Sequence, residues 1–123
     1  MPPRKIALLA EADSRIRRVW DPHVCADVND AQVKVAKFGD KFDWHAHPEE
    51  DEAFLVLRGR IAIDFRDGTV EMGEGDLVCV PRATPHRPRA LSPEPVVLMF
   101  EPATTLNTGD AQSHLTVAEP KRL

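Results

Sequence analysis

Between Val24 and Phe100 no apolar run goes far before a turn interrupts it, and that rhythm constrains the fold more than any other feature. Val24-Cys25-Ala26-Asp27-Val28 and Gln32-Val33-Lys34-Val35-Ala36-Lys37-Phe38 flank Asn29-Asp30, whose residue types tolerate the positive φ angles of a tight hairpin. Ala53-Phe54-Leu55-Val56-Leu57 is wholly apolar, stops at Gly59 and reads as a buried strand. Ile61, Ile63 and Phe65 alternate with Ala62, Asp64 and Arg66, the period of a half-buried strand. Asp67-Gly68 turns the chain into Thr69-Val70-Glu71-Met72, and Glu74-Gly75-Asp76 turns it into Leu77-Val78-Cys79-Val80-Pro81. A further strand surrounds His86, and Pro95-Val96-Val97-Leu98-Met99-Phe100 supplies the last. About eight short strands, with turn signals roughly every 8–12 residues and no crossover helix between them, describe an antiparallel sandwich or barrel.

The remainder fits one domain. Residues 1–22 read as an N-terminal segment, 23–101 as the barrel and 102–123 as a C-terminal tail. Ile6, Leu9, Ala10, Asp13, Ile16 and Arg17 fall at near-helical spacing, which predicts one or two short helices within 5–18, covering a barrel edge. The polar tail either packs along the barrel or frays. A chain of 123 residues holds one compact domain and buries enough surface to need no disulfide. Cys25 and Cys79, far apart and without a CxxC neighbour, are expected to be small buried apolar residues in a reducing compartment.

Charge excludes some partners. The net charge is −4, and beyond the Arg15-Ile16-Arg17-Arg18 run, read as a solvated helix end, there is no basic stripe; nucleic acid is not an expected partner. The apolar stretch Ile6–Ala10 is too short for a signal peptide, and no run approaches membrane-spanning length. The expected location is the cytoplasm, with no membrane partner.

Chemistry concentrates in the histidines. His45 and His47 stand two apart, so on a strand both imidazoles project from one face. Glu52 follows after Glu49, Glu50 and Asp51, and His86 comes after a second hairpin. Imidazoles with a carboxylate suit zinc, iron, nickel, copper or manganese rather than calcium or magnesium. An isolated HxH pair is more often two surface histidines, and an acid within an acidic run is ordinarily a solvated loop residue. The spacing of the whole set carries the argument.

Five residues separate Gly39 from His45, one separates His45 from His47, four separate His47 from Glu52, and six separate Glu52 from Gly59. Five more lie between Gly75 and Pro81, and four between Pro81 and His86. These strings resemble the two signature motifs of the cupin superfamily, GX5HXHX3-4EX6G and GX5PXGX2HX3N. Eight of ten fixed positions match across residues 39–90; Ala83 replaces a glycine and Ala90 an asparagine. The resemblance implies an all-β double-stranded β-helix, or jelly roll, carrying one divalent transition metal (Fe, Zn, Ni, Mn or Cu) on His45, His47, Glu52 and His86. Asp51 is the weaker alternative carboxylate. Ala83 fits the turn less freely than glycine if its φ must be positive.

Strand parity extends the site. Phe54 and Val56 share the parity of Glu52 and are expected to line a substrate pocket, with Val33 and Val35 or Ala36 opposite. Arg58 shares it too, and either anchors an anionic substrate or caps the strand from the surface. Asp43 reads as a hairpin residue or a partner to an imidazole. Trp20 and Trp44 read as core or dimer-contact residues. Small cupins resembling this chain include isomerases, lyases and dioxygenases, and also non-catalytic binders and sensors; the fold does not choose among them. The complete ligand set favours a metal-dependent enzyme acting on a small oxygenated metabolite, with a non-catalytic binding or sensor module as the alternative. Exposed strand edges, together with the resemblance, lead to the expectation of a homodimer.

Overall fold

The computed structural model describes residues 1–123. One helix, α1 (Leu8–Arg15), precedes β1 (His23–Val28), β2 (Ala31–Lys37), β3 (Glu52–Arg58), β4 (Ile61–Phe65), β5 (Gly68–Met72), β6 (Leu77–Val80), β7 (His86–Ala90), β8 (Val96–Pro102) and the two-residue β9 (Lys121–Arg122). Six strands form one sheet in the order β6-β3-β8-β2-β1-β9, and three form a second in the order β5-β4-β7. This two-sheet arrangement is the jelly roll.

Local chemistry sets the corners. Asn29 takes φ +54° at the β1–β2 turn, as its residue type allows. Phe65 pairs with Gly68, so the β4–β5 hairpin closes through the two-residue loop Arg66-Asp67. Gly59 sits at φ +84° after β3, where a Cβ would come within 2.6 Å of Ser92 Oγ and 2.9 Å of Pro95 Cβ. Only glycine fits there.

Between the sheets lies the main core, which includes Trp20, Phe38, Phe42, Phe54, Val56, Ile61, Ile63, Met72, Val80, Val97 and Met99. The burial of Glu52, Phe54 and Val56 follows the parity read from the sequence. A smaller cluster of Ala12, Ile16, Val35 and Val96, joined by Leu8, Cys25, Leu57 and Leu98, glues α1 to the outer face of the six-stranded sheet. The helix therefore covers a sheet face rather than the expected edge.

One expectation needs correction. Cys79 is exposed, because its parity on the edge strand β6 points it outward, while Cys25 is half-buried. Of the two readings of the tail, packing along the barrel is the one the structure shows. Leu123 N donates to Val24 O at 2.9 Å, β9 pairs with β1 in parallel, and Thr108 is fully buried. No helix is long and apolar enough to cross a membrane.

Candidate metal centre

The segment carrying His45 and His47 is not a regular strand. It meets β7 through a single bridge between His45 and His86, with His45 N donating to His86 O at 3.1 Å and His86 N to His45 O at 2.9 Å. Three further attachments brace it. Ala83 N donates to His47 O at 2.7 Å, Asp110 N donates to Ala46 O at 3.0 Å, and Ala46 N donates to Asp110 Oδ1 at 2.9 Å. Ser113 Oγ also donates to Asp43 Oδ2 at 2.6 Å. The C-terminal tail is thus a strap across the backbone between the two histidines.

The structure brings His45, His47, Glu52 and His86 together. One potential ligand atom from each lies within 4.8 Å of all the others, and all four residues are buried. His45 Nδ1 donates to Asp43 O at 2.9 Å and His86 Nδ1 to Thr84 O at 2.8 Å. Fixing the proton on Nδ1 leaves each Nε2 a bare lone pair. Asp43 acts on His45 through this carbonyl. His47 Nε2 lies 3.1 Å, and His86 Nε2 3.5 Å, from Glu52 Oε1. Both His47 nitrogens, His86 Nε2 and Glu52 Oε1 are buried without a hydrogen-bond partner. Buried polar atoms are nearly always satisfied, and three of these orphans, His47 Nε2, His86 Nε2 and Glu52 Oε1, converge and call for a shared partner. A divalent cation accepts a lone pair from each of these three residues, whereas a water has too few protons; the donor set fits a transition metal.

Electrostatics agree. Burial, then the neighbouring His86, pushes the His45 imidazole down to about 4. Burial alone would raise Glu52, but the His47 and His86 imidazoles beside it outweigh that and hold the carboxyl below the usual range. A neutral imidazole and an ionised carboxylate are the ligating forms.

A pH dependence follows for metal-free protein. The folded value of His45 lies below the unfolded value near 6.5, so the unfolded chain binds the extra proton between about 6.5 and 4. Stability contributed by keeping His45 neutral is complete above pH 6.5 and is lost progressively down to about pH 4, by up to about 3 kcal/mol. Because the raised Glu101 carboxyl contributes the opposite slope over the same window, the effect is read against His45→Ala: in chelator the parent's denaturant midpoint relative to the variant's should fall with pH, and a constant difference would contradict the burial of a neutral imidazole.

Ala83 occupies its turn with φ +62°, the left-handed conformation that the resemblance assigns to glycine. Ala83→Gly is expected to raise stability by up to about 1 kcal/mol by relieving that strain, read as a shifted denaturation midpoint.

Beside the cluster lies a small cavity lined by Trp20, Pro22, Ala36, Phe38, Phe42, His45, Glu52, Phe54, Pro88, Met99, Glu101 and Asn107. Of the expected pocket residues, Phe54 lines it, and Val56 packs in the core beneath it. Val35 does not: it faces outward under α1, and Ala36 takes the inward position. Arg58 does not either. A register shift between Val56 and Arg58 turns it outward, where its guanidinium forms a bidentate pair with Asp13 on α1 at 3.0 and 3.1 Å. Trp20 is core and cavity wall, whereas Trp44 is half-buried, with Arg66 stacked 3.9 Å from its ring centroid. Asp51 pairs with Arg82 at the surface, away from the histidines.

Sequence reasoning missed Glu101 and Lys34. Both are buried; Lys34 Nζ lies 3.3 Å from Glu101 Oε1 and donates to Thr105 O at 3.2 Å. Burial and the adjacent Glu52 raise Glu101 well above the usual carboxylate range, against the opposing pull of Lys34. A lysine between two valines, Val33 and Val35, was the available signal.

The family description "Cupin domain" matches residues 32–100, more than half of the chain. The chain is a cupin. Over 66 residues it is 42% identical to the uncharacterized protein YdbB of Bacillus subtilis (strain 168), a stretch covering 53% of this chain and 58% of that relative. The match thus spans little more than half the length of that relative. Among solved structures, a cupin-2 domain containing protein from Shewanella frigidimarina superposes with a TM-score of 0.68 at 32% identity, covering 76% of this chain and 89% of the other. NMB1881 from Neisseria meningitidis gives 0.71 at 26% identity, covering 81% of this cupin and 100% of that chain.

Proposed function

We propose that this cupin holds one divalent transition metal on His45, His47, Glu52 and His86 and uses it to act on a small oxygenated metabolite. The observation that carries the reading is the set of buried polar atoms on His47, His86 and Glu52 that have no partner within the protein. Leaving each such group unsatisfied costs about 1–3 kcal/mol, and a bound cation removes that cost for one atom of each of the three residues. When bound, the ion supplies Lewis acidity, drawing electron density from an oxygen of the ligand.

The chain's own residues do the rest. Asp43 and Thr84 carbonyls fix the tautomers of His45 and His86. Trp20, Phe38, Phe42 and Phe54 exclude water from the adjoining cavity and present flat apolar walls to a ligand. Inside that cavity the titratable groups are His45, Glu52 and Glu101, so any proton the reaction moves has few places to go. A binding module without turnover would use the same walls.

The test is metal titration of chelator-treated protein. One equivalent of zinc, manganese, nickel, copper or iron should saturate each chain. At an excess of about 100 times the dissociation constant, the metal should add about 2.7 kcal/mol of stability, seen as a higher thermal midpoint. Protein that gains neither stoichiometric metal nor thermal stability with any of these ions would remove the reading.

A further inference from the structure

The Arg15-Ile16-Arg17-Arg18 run does more than end a helix. Arg15, Arg17 and Arg18 line a second cleft, of about 470 Å³, together with Lys121 and Arg122 of β9 and with Ser14, Asp21 and His23. The cleft shares no residue with the metal cluster or the cavity beside it. In a chain of net charge −4, five basic side chains meet here around a single acidic one, Asp21.

The helix end does not account for this gathering. Arg15 already lies in the last turn of α1, and Lys37 Nζ donates to Ile16 O at 2.8 Å, so cations meet the negative end of the helix. Arg17 and Arg18 lie beyond that turn, and Lys121 and Arg122 arrive from the far end of the sequence. Carboxylates do not neutralise the group either. Of the five, only Arg122 hydrogen-bonds an acid, Asp27, at 2.9 and 3.1 Å. Arg15 and Arg18 stand 3.8 and 3.9 Å from Glu11 and Asp21, too far for a hydrogen bond, and Arg17 and Lys121 have no acidic partner. His23 adds a buried polar group to the same lining. It is 4% exposed; its Nδ1 donates to Asp21 O at 2.9 Å, and its Nε2 has no partner within the protein.

We infer that this cleft binds a small polyphosphate anion, a short chain of linked phosphates. Like charges gathered in one cleft focus the local field, so a ligand that concentrates negative charge gains most there. A tetrahedral phosphate turns oxygens in several directions and can take guanidinium forks and the Lys121 ammonium together, whereas a planar carboxylate engages one fork at a time. No apolar or aromatic side chain lines the cleft, so a base attached to the phosphates finds nothing to stack on. The bound anion ties the end of α1 to β9. This inference is independent of the metal reading above.

The test is calorimetric titration of full-length protein, stripped of metal and then of chelator so that no metal ion holds the anion, at about 0.15 M salt. The titrants are inorganic tripolyphosphate, adenosine triphosphate, citrate and a short single-stranded RNA. Tripolyphosphate is expected to bind once per chain, within about threefold of adenosine triphosphate and at least about tenfold more tightly than citrate. Arg17→Gln/Lys121→Gln removes two exposed cations that have no acidic partner, and should weaken tripolyphosphate binding at least about tenfold. Lys41→Gln/Arg60→Gln removes the same charge at exposed residues outside the cleft, and should weaken it less than about twofold. Undiminished binding in the first variant, or an equal loss in both, overturns the site. Citrate binding as tightly as tripolyphosphate overturns the phosphate assignment. Adenosine triphosphate binding more than about tenfold more tightly than tripolyphosphate overturns recognition through the phosphates alone. RNA binding more tightly than tripolyphosphate overturns the small-ligand assignment, and no binding of tripolyphosphate at all overturns the inference.

Discussion

Replacing both His45 and His47 by alanine should reduce bound metal from one ion per chain to less than about a tenth, with the jelly roll intact. Two of four ligands disappear, and Glu52 and His86 alone make a weak open site. The effect on stability should depend on the medium. In chelator, lost packing opposes a relief, because both His47 nitrogens are buried without partners and the unfavourable burial of His45 ends with its imidazole. These contributions oppose each other at a few kcal/mol each, so the variant should unfold within about 2 kcal/mol of the parent. With saturating metal only the parent gains, and the gap should widen by about 2.7 kcal/mol or more. The variant should also lose most of the acid sensitivity between pH 6.5 and 4 that His45 confers. Elemental analysis and paired denaturation curves check all three. Equal metal content in parent and variant would show that these imidazoles hold nothing.

Gly109→Val should do comparable damage from a residue that carries no ligand atom. Gly109 adopts φ +56°, and a Cβ there would fall on the Ala46 carbonyl oxygen, 2.9 Å from Ala46 C and 3.0 Å from His45 Cδ2. Valine meets both a disfavoured backbone conformation and a collision with main-chain atoms, neither of which a side chain can rotate away. The strap must lift, and Ala46 then loses its two hydrogen bonds to Asp110. Stability should fall by about 3 kcal/mol or more. Metal affinity should fall about 10–100-fold, the usual cost of losing a group that orients a ligand. Gly68→Ala is the control, since a Cβ there meets nothing within 4 Å, and it should change neither quantity measurably. A Gly109→Val protein with parental metal affinity would show that the histidine segment holds its shape without the strap.

The metal cluster was legible because its spacing resembles the cupin motifs, and that resemblance implied the four ligands. Glycines at 39, 59 and 75 mark corners, and between fixed corners the count of residues decides which side chains meet. Parity worked on β3 up to Val56 and failed one step later, where a register shift that leaves no mark in the sequence turned Arg58 to the surface. On β2 the alternation misled in another way. Val33 and Val35 look like the inward face, but the partners that decide the matter are distant. Glu101 and Thr105 meet Lys34 inside, and α1 covers Val35 outside. Hydrophobicity cannot say which of two apolar surroundings a valine enters. The strap was illegible for a related reason: Gly109 and Asp110 act on Ala46 from 63 and 64 residues away, with no periodicity to announce it.

The cavity wall is assembled from two sources. His45, Glu52, Phe54 and most of the apolar lining belong to residues 32–100, but Trp20 and Pro22 precede that stretch, and Glu101 and Asn107 follow it. Ligand choice can therefore diverge between relatives by drift outside residues 32–100, at Trp20, Pro22 and Asn107 and at Glu101 near the end of β8, while His45, His47, Glu52 and His86 stay constant. Sorting such proteins by what they recognise requires comparing the flanks, where two chains that agree throughout the barrel can present different chemistry to whatever enters.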